Sequence, residues 1–218
     1  MAAPKQSTEI RRAQILRAAS DIVAREGVAA LEVSAIARRC GLVPSALYRH
    51  VRSKDDVLDA LVGTLGARLR ENVASARSTS SRAIERLGRL FDLHLDMARG
   101  RAPIPRLVFS EEVLGGPPAR RRKVLDALSS YLAAVAKLVE EGVRAGDVRA
   151  DADPAAVAGL FLGAVQHTAV LALMGGAAFN RAAHAARVRR TLLALLSPDP
   201  RPAYRGGCSR TRRPRRHP

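Results

Sequence analysis

Residues Cys40–Lys54, CGLVPSALYRHVRSK, restrict what this chain can become more than any other stretch. Gly41 marks a tight turn. Pro44 stands where a helix can begin, since its fixed φ suits the first helical position. Leu47 and Val51, four apart, give that helix one thin apolar side. Ser45, Tyr48, Arg49 and His50 put hydrogen-bonding and cationic groups on the rest. Such a helix has too little apolar surface to serve as core. Its chemistry suits a DNA groove, and it reads as the recognition helix of a helix-turn-helix.

The residues before it supply the support that reading needs. A first helix starts near Thr8, with Glu9 favourably placed at its positive end. Ile15, Leu16, Ala19, Ile22 and Val23 repeat on one face, and Gly27 stops the helix. A second, short helix runs over about Val33–Cys40, with Val33, Ile36 and Ala37 inward. Gly41 turns the chain, and the third helix covers about Pro44–Val51.

Gly27–Leu61, GVAALEVSAIARRCGLVPSALYRHVRSKDDVLDAL, resembles the DNA-binding domain of the tetracycline-repressor (TetR/AcrR) family. The matching features are Gly27, Ile36-Ala37, Gly41, Leu47-Tyr48, His50 and Ser53-Lys54, in the family's order and spacing. The resemblance covers roughly residues 8–62. Two positions depart from it. Glu32 stands before the second helix, where the family often has a capping Ser or Thr that touches phosphate. Val43-Pro44 opens the recognition helix without a capping hydroxyl. Ser34 is placed to take over the phosphate contact. The resemblance implies an all-α protein, with an N-terminal three-helix DNA-binding domain and a larger helical domain for effector binding and dimerisation.

Helical periodicity runs through the rest of the chain, with no stretch that reads as a strand. Ser53-Lys54-Asp55-Asp56 resembles a capping box for a fourth helix reaching about Ala74. Ser75–Ser81 is a linker. A fifth helix spans about Arg82–Arg99, ended by Gly100, and a short sixth runs from Pro103 through Leu114. Gly115-Gly116-Pro117-Pro118 breaks the chain. A long seventh covers about Ala119–Ala145, and Asp153-Pro154 caps an eighth reaching Met174. The ninth covers about Asn180–Leu196. The expected domains are 1–52 for DNA binding, 53–197 for effector and dimer contacts, and a basic tail, 198–218.

Charge agrees with this division. Residues 1–54 hold ten Lys/Arg against four Asp/Glu, residues 55–197 hold 20 against 15, and the tail holds seven Arg and one Asp. Two positive ends around a nearly balanced middle fit a DNA-binding head, and the tail adds either sequence-independent DNA affinity or nothing. The Arg-rich composition also fits a GC-rich genome. Two cysteines make neither a disulfide framework nor a metal cluster, and the N-terminus lacks a signal-peptide pattern. A reducing, cytoplasmic setting is expected. Ala155–Met174 is long and apolar enough to span a bilayer, but Gln166, His167 and Thr168 fall at its centre. A buried or interfacial helix is expected there, and no membrane partner.

The candidate DNA contacts are Ser34, Val43, Pro44, Ser45, Tyr48, Arg49, His50 and Lys54. Tyr48, Lys54 and His50 suit phosphates, Ser45 lies where recognition helices meet bases, and Arg49 suits guanine edges. By family resemblance the middle helices enclose an effector pocket, with His94, Met97, Phe109, Glu112, Tyr131 and His167 as candidate lining. Leu160, Leu162, Val165, Val170 and Leu173 of the eighth helix, with Val188, Leu192 and Leu195 of the ninth, are the candidate homodimer interface. No phosphate-binding glycine loop, nucleophile motif or paired metal ligand is visible, so neither an enzyme nor a cofactor is expected. The expected function is a ligand-responsive homodimeric repressor that binds double-stranded, pseudo-palindromic DNA. The alternative is a helical ligand-binding or scaffolding protein that has lost operator recognition.

Overall fold

The computed structural model describes residues 8–99 and 104–198. Within them there are ten α-helices and no strand. Three small helices form the head: α1 (Thr8–Glu26), α2 (Val33–Arg39) and α3 (Pro44–Leu47). The body comprises α4 (Lys54–Arg77), α5 (Ala83–Arg99), α6 (Ile104–Val108), α7 (Glu111–Leu114), α8 (Pro118–Ala145), α9 (Pro154–Gly175) and α10 (Arg181–Leu196). The N-terminal arm, the Gly100 stop, the Pro103 start and all but the first residue of the tail lie outside the described residues.

The head closes over its own apolar cluster. Ile15, Ala19, Ile22 and Val23 of α1 meet Ile36 and Ala37 of α2 and Leu47 of α3, all essentially without solvent contact. Burying a leucine such as Leu47 stabilises by about 1.5–3 kcal/mol. Between α2 and α3 the chain makes a Schellman turn. The Leu42 N–H donates to the Ala37 carbonyl at 2.9 Å and the Gly41 N–H to the Arg38 carbonyl at 3.2 Å. Gly41 sits at φ +66°, a conformation that a side chain would strain.

Helix α3 is shorter than its sequence suggests. It is one turn, Pro44–Leu47, and Tyr48–His50 continue as a tight turn. Val43 gives it no side-chain cap. The next helix is capped at Ser53 in any case, so little chain remains to propagate it. The Ser53 hydroxyl accepts from the Asp56 N–H at 3.1 Å, while the Asp56 carboxylate accepts from the Arg52 N–H at 2.9 Å rather than from Ser53.

In the body, α4, α5, α8 and α9 pack against one another, and α10 covers α5 and α9. Phe91 of α5 meets Phe161 of α9 edge to face at 5.8 Å. The Asp153 carboxylate caps α9 by accepting from Ala155 and Ala156 N–H groups. Two boundaries differ from the sequence reading. Helix α4 runs to Arg77, because Arg77 is held by Glu141 of α8 in a paired ion contact at 3.0–3.1 Å. The sixth segment is two helices, α6 and α7, parted at Ser110, whose hydroxyl turns back onto the Leu107 carbonyl. One described helix, α9, is long and apolar enough to cross a membrane, and 39% of its most apolar window is buried against the body.

Candidate nucleic-acid interface and effector cavity

The turn that buries Leu47 pushes its neighbours outward. Val43 is 64% exposed and Tyr48 55% exposed, and Pro44, Ser45 and Arg49 are exposed beside them. These five candidate DNA residues are exposed around one turn, with Ser45 and Tyr48 supplying hydroxyls and Arg49 the cation. The other three sit differently. His50 is half-buried with Nδ1 enclosed and unpaired, which leaves Nε2 for a phosphate. The Ser34 hydroxyl donates to the Glu32 carboxylate at 3.2 Å, so a phosphate must compete with an acid for it. Lys54 faces Glu112 of α7 at 3.6 Å.

Glu112 therefore stands at the join between head and body rather than in a pocket. Beside it lies a cluster that sequence reading missed. Arg120 of α8 is 2% exposed. Its Nε donates to Asp59 at 2.7 Å, one terminal nitrogen to Asp55 at 2.6 Å, and the other to the Glu112 carbonyl at 3.0 Å. Burial disfavours the charged guanidinium, but hydrogen bonds and charge from Asp59 and Asp55 more than offset it, so its pKa is raised. The first two turns of α4 are thereby fastened to α7 and α8. A side chain at Gly116 would collide with the Glu112 carbonyl, so that glycine lets the loop close over Arg120.

The body holds an apolar cavity of about 540 Å³, open mouth included. Leu65 and Leu69 of α4, His94 and Met97 of α5 and Leu128 of α8 form one side. Ile104, Pro105 and Val108 of α6, then Phe109, form another, and Leu162, Val165, Gln166 and Ala169 of α9 close it. Much of that volume is open mouth and narrow gaps between side chains, so a ligand of many heavy atoms has to move the walls.

Of the sequence candidates, His94, Met97 and Phe109 line this cavity. Tyr131 lies behind the wall, where its hydroxyl meets His94 Nδ1 at 2.9 Å and its ring meets the imidazole edge to face. His167 is on the outer side of α9, 5.9 Å from His184 of α10. Leu162 and Val165, read as interface residues, face the cavity instead. A helix apolar nearly all round does not reveal from sequence which of its faces is turned inward.

Burial lowers the pKa of His94 to about 4 and raises that of Tyr131. Both groups are thus neutral near pH 7. The sign of the linkage follows. An unfolded His94 binds a proton near pH 6.5, and the folded one resists until about pH 4. Stability is full above pH 6.5 and falls as pH drops through that window, by up to about 1.4 kcal/mol per pH unit. Thermal melts across it should show the decline, and His94→Leu combined with Tyr131→Phe should flatten this component.

The remaining interface candidates lie on or near the outer face of α9 and α10. Leu160 is 67% exposed, and Leu173, Leu195 and Met174 are also exposed. Gly159 and Gly163 lie beside Leu160 with open space above them. Val170 is half-buried. Val188 and Leu192 are half-buried and packed against the core. Among the described residues α9 carries no charged side chain, so an apolar strip with two bare glycines remains facing outward.

Comparison with known proteins places this architecture. Residues 15–61 match the model of the bacterial regulatory proteins of the tetR family, and residues 83–192 match that of the tetracyclin repressor-like C-terminal domain. A fatty acid metabolism regulator protein of Bacillus subtilis is 23% identical over 155 residues, 71% of this chain and 79% of that one. The nucleoid occlusion factor SlmA of Pasteurella multocida is 25% identical over 121 residues, covering 55% of this chain and 61% of its own. Among solved structures, the regulator FadR of Bacillus subtilis in complex with stearoyl-CoA superposes with a TM-score of 0.69 at 20% identity, over 84% of this chain and 98% of that one. A transcriptional regulator of Saccharomonospora viridis in complex with choline gives 0.76 at 23% identity, over 87% and 98%. The two matched segments account for the head and most of the body, and the chain belongs to the TetR family of bacterial DNA-binding transcriptional regulators.

Proposed function

We propose that two copies of this chain, joined through α9 and α10, repress transcription by binding a pseudo-palindromic operator, and that a small molecule in the body cavity releases them. The observation that carries this reading is that α4 and α6 serve both sites. Helix α4 lines the cavity with Leu65 and Leu69 and, two to three turns earlier, carries the Asp55 and Asp59 that grip Arg120 at the head. Helix α6 lines the cavity and packs on α1. A ligand too large for the unfilled cavity displaces its walls, and these two walls lead directly to the head.

Operator half-sites one helical turn apart are about 34–36 Å from centre to centre. A small rotation of each head therefore breaks simultaneous docking. The ligand does this only through a difference in affinity between the docked and released states. Binding to DNA inside a bacterial cell places the protein in the cytoplasm, and no reaction on the effector is needed. The neighbours' ligands, a thioester of stearate and a quaternary ammonium, differ so widely that the fold does not choose the effector.

A mobility-shift titration on DNA from upstream of its own gene tests the reading. A discrete complex that survives excess unrelated DNA is expected. Arg49→Ala should reduce the preference for that DNA by about 1–3 kcal/mol, and Tyr48→Phe should weaken all sequences alike. Binding equal to that of unrelated DNA at matched salt would refute operator recognition and favour the scaffold alternative.

A further inference from the structure

We infer that the body cavity takes a neutral, largely apolar molecule bearing one hydrogen-bond-accepting oxygen, such as a ketone, ester or lactone on a hydrocarbon skeleton, and that it rejects anions and cations of the same skeleton. This rests on the cavity being the effector site, and names the chemistry of that effector.

The walls are the first argument. Ten of the lining side chains are aliphatic, thioether or proline, and Phe109 adds an aromatic ring. The polar lining residues are His94 and Gln166. No Lys, Arg, Asp or Glu lines the cavity among the described residues. A carboxylate or ammonium placed there loses its water and meets no counter-ion among the described residues, which is far more costly than burying a ketone.

The polar pair is the second. His94 stays neutral, so it offers hydrogen bonding without charge. Its Nδ1 is taken by the Tyr131 hydroxyl at 2.9 Å. Tyr131 is 2% exposed and keeps its proton. A phenol O–H is the better donor of the pair, and imidazole nitrogen the better acceptor. The arrangement that uses both puts the imidazole proton on Nε2. The Nε2–H then becomes a donor for a ligand in the cavity that His94 lines. Donor chemistry selects an oxygen acceptor, and Tyr131 acts as the positioning residue that fixes the tautomer from behind. Gln166 offers a donor or an acceptor from the facing helix, and so adds no preference for charge.

Three probes of one length separate the possibilities: 2-undecanone, decanoate and decylamine, titrated into the DNA-free protein by calorimetry near pH 7.5. The ketone should bind at least about tenfold more tightly than either ion. In the variant carrying His94→Leu and Tyr131→Phe, an apolar pair of similar volume, ketone affinity should fall about three- to tenfold, as for one lost hydrogen bond. Circular dichroism checks that this variant is folded, and the ranking in the unaltered protein stands without it. Decanoate or decylamine binding as tightly as the ketone would overturn the inference. So would no binding by any probe up to about 1 mM, or unchanged ketone affinity in the folded variant. The same probes added to the operator complex separate the two readings. A ketone that binds without releasing DNA contradicts effector control and leaves the ligand class standing. Release by decanoate contradicts the ligand class and leaves effector control standing.

Discussion

Arg120→Met is expected to lower the melting temperature by about 4–8 °C and to weaken operator binding by about tenfold, although Arg120 is buried and does not line the cavity. The first effect follows from its bonds. The guanidinium is buried and bonded to two carboxylates and two carbonyls. Removing one partner of a fully buried ion pair costs about 3–5 kcal/mol, because the survivor is left charged in a dry site. Here Asp55 and Asp59 face solvent on one side, at 69% and 41% side-chain exposure. They rehydrate when abandoned, so about 2 kcal/mol is the appropriate scale, and for a chain of this length each kcal/mol moves the midpoint by about 2–4 °C.

The second effect follows from position. Asp55 and Asp59 lie in the first two turns of α4, directly after the turn that carries Tyr48 and Arg49. Loosening them frees the head to sample orientations that do not fit the groove. Arg122→Met, two residues along and exposed, should change neither quantity measurably. Equal melting curves and equal operator affinity for the Arg120 variant and the parent would show that this cluster is not the hinge between head and body.

Leu160→Glu should have the larger effect on DNA. Leu160 projects from α9 beside Gly159 and Gly163, where a second α9 can approach closely. In a monomer the glutamate lies in water, so folding is unharmed. In a dimer two carboxylates meet across an apolar seam, a like-charge contact costing several kcal/mol. Sedimentation should shift from dimer to monomer at micromolar protein. Operator affinity should drop by more than about a hundredfold, because one head alone gains only half of the contacts. A variant that remains dimeric would move the interface elsewhere.

The parts of this structure that are local in sequence were legible there. The glycine turn at Gly41, the Ser53 and Asp153 caps and the apolar face of α1 all depend on residues within one or two turns of each other. The Arg120 cluster was not legible, because its members are separated by 61 and 65 positions and each alone resembles a surface charge. The cavity was legible in part. His94, Met97 and Phe109 were named because aromatic, imidazole and thioether groups attract notice. Leu65, Leu69 and Leu128 look like any other core leucines, and only packing shows that they border a space. Glu112 and His167 were named for their chemistry and lie elsewhere, Glu112 against Lys54 and His167 against His184. Helix α9 showed the limit most directly. Apolar nearly all round, it carries Leu162 and Val165 toward the cavity and Leu160 toward solvent, and no periodicity distinguishes them.

The central claim is that two copies of the α3 turn, held at fixed separation by α9 and α10, read two half-sites at once. Hydroxyl-radical footprinting of the operator complex, with its mass measured in parallel, tests this directly. The expected result is two symmetric protected patches about one helical turn apart on one face of the duplex, at a stoichiometry of two chains or a multiple of two. A single protected half-site bound by one chain would contradict it.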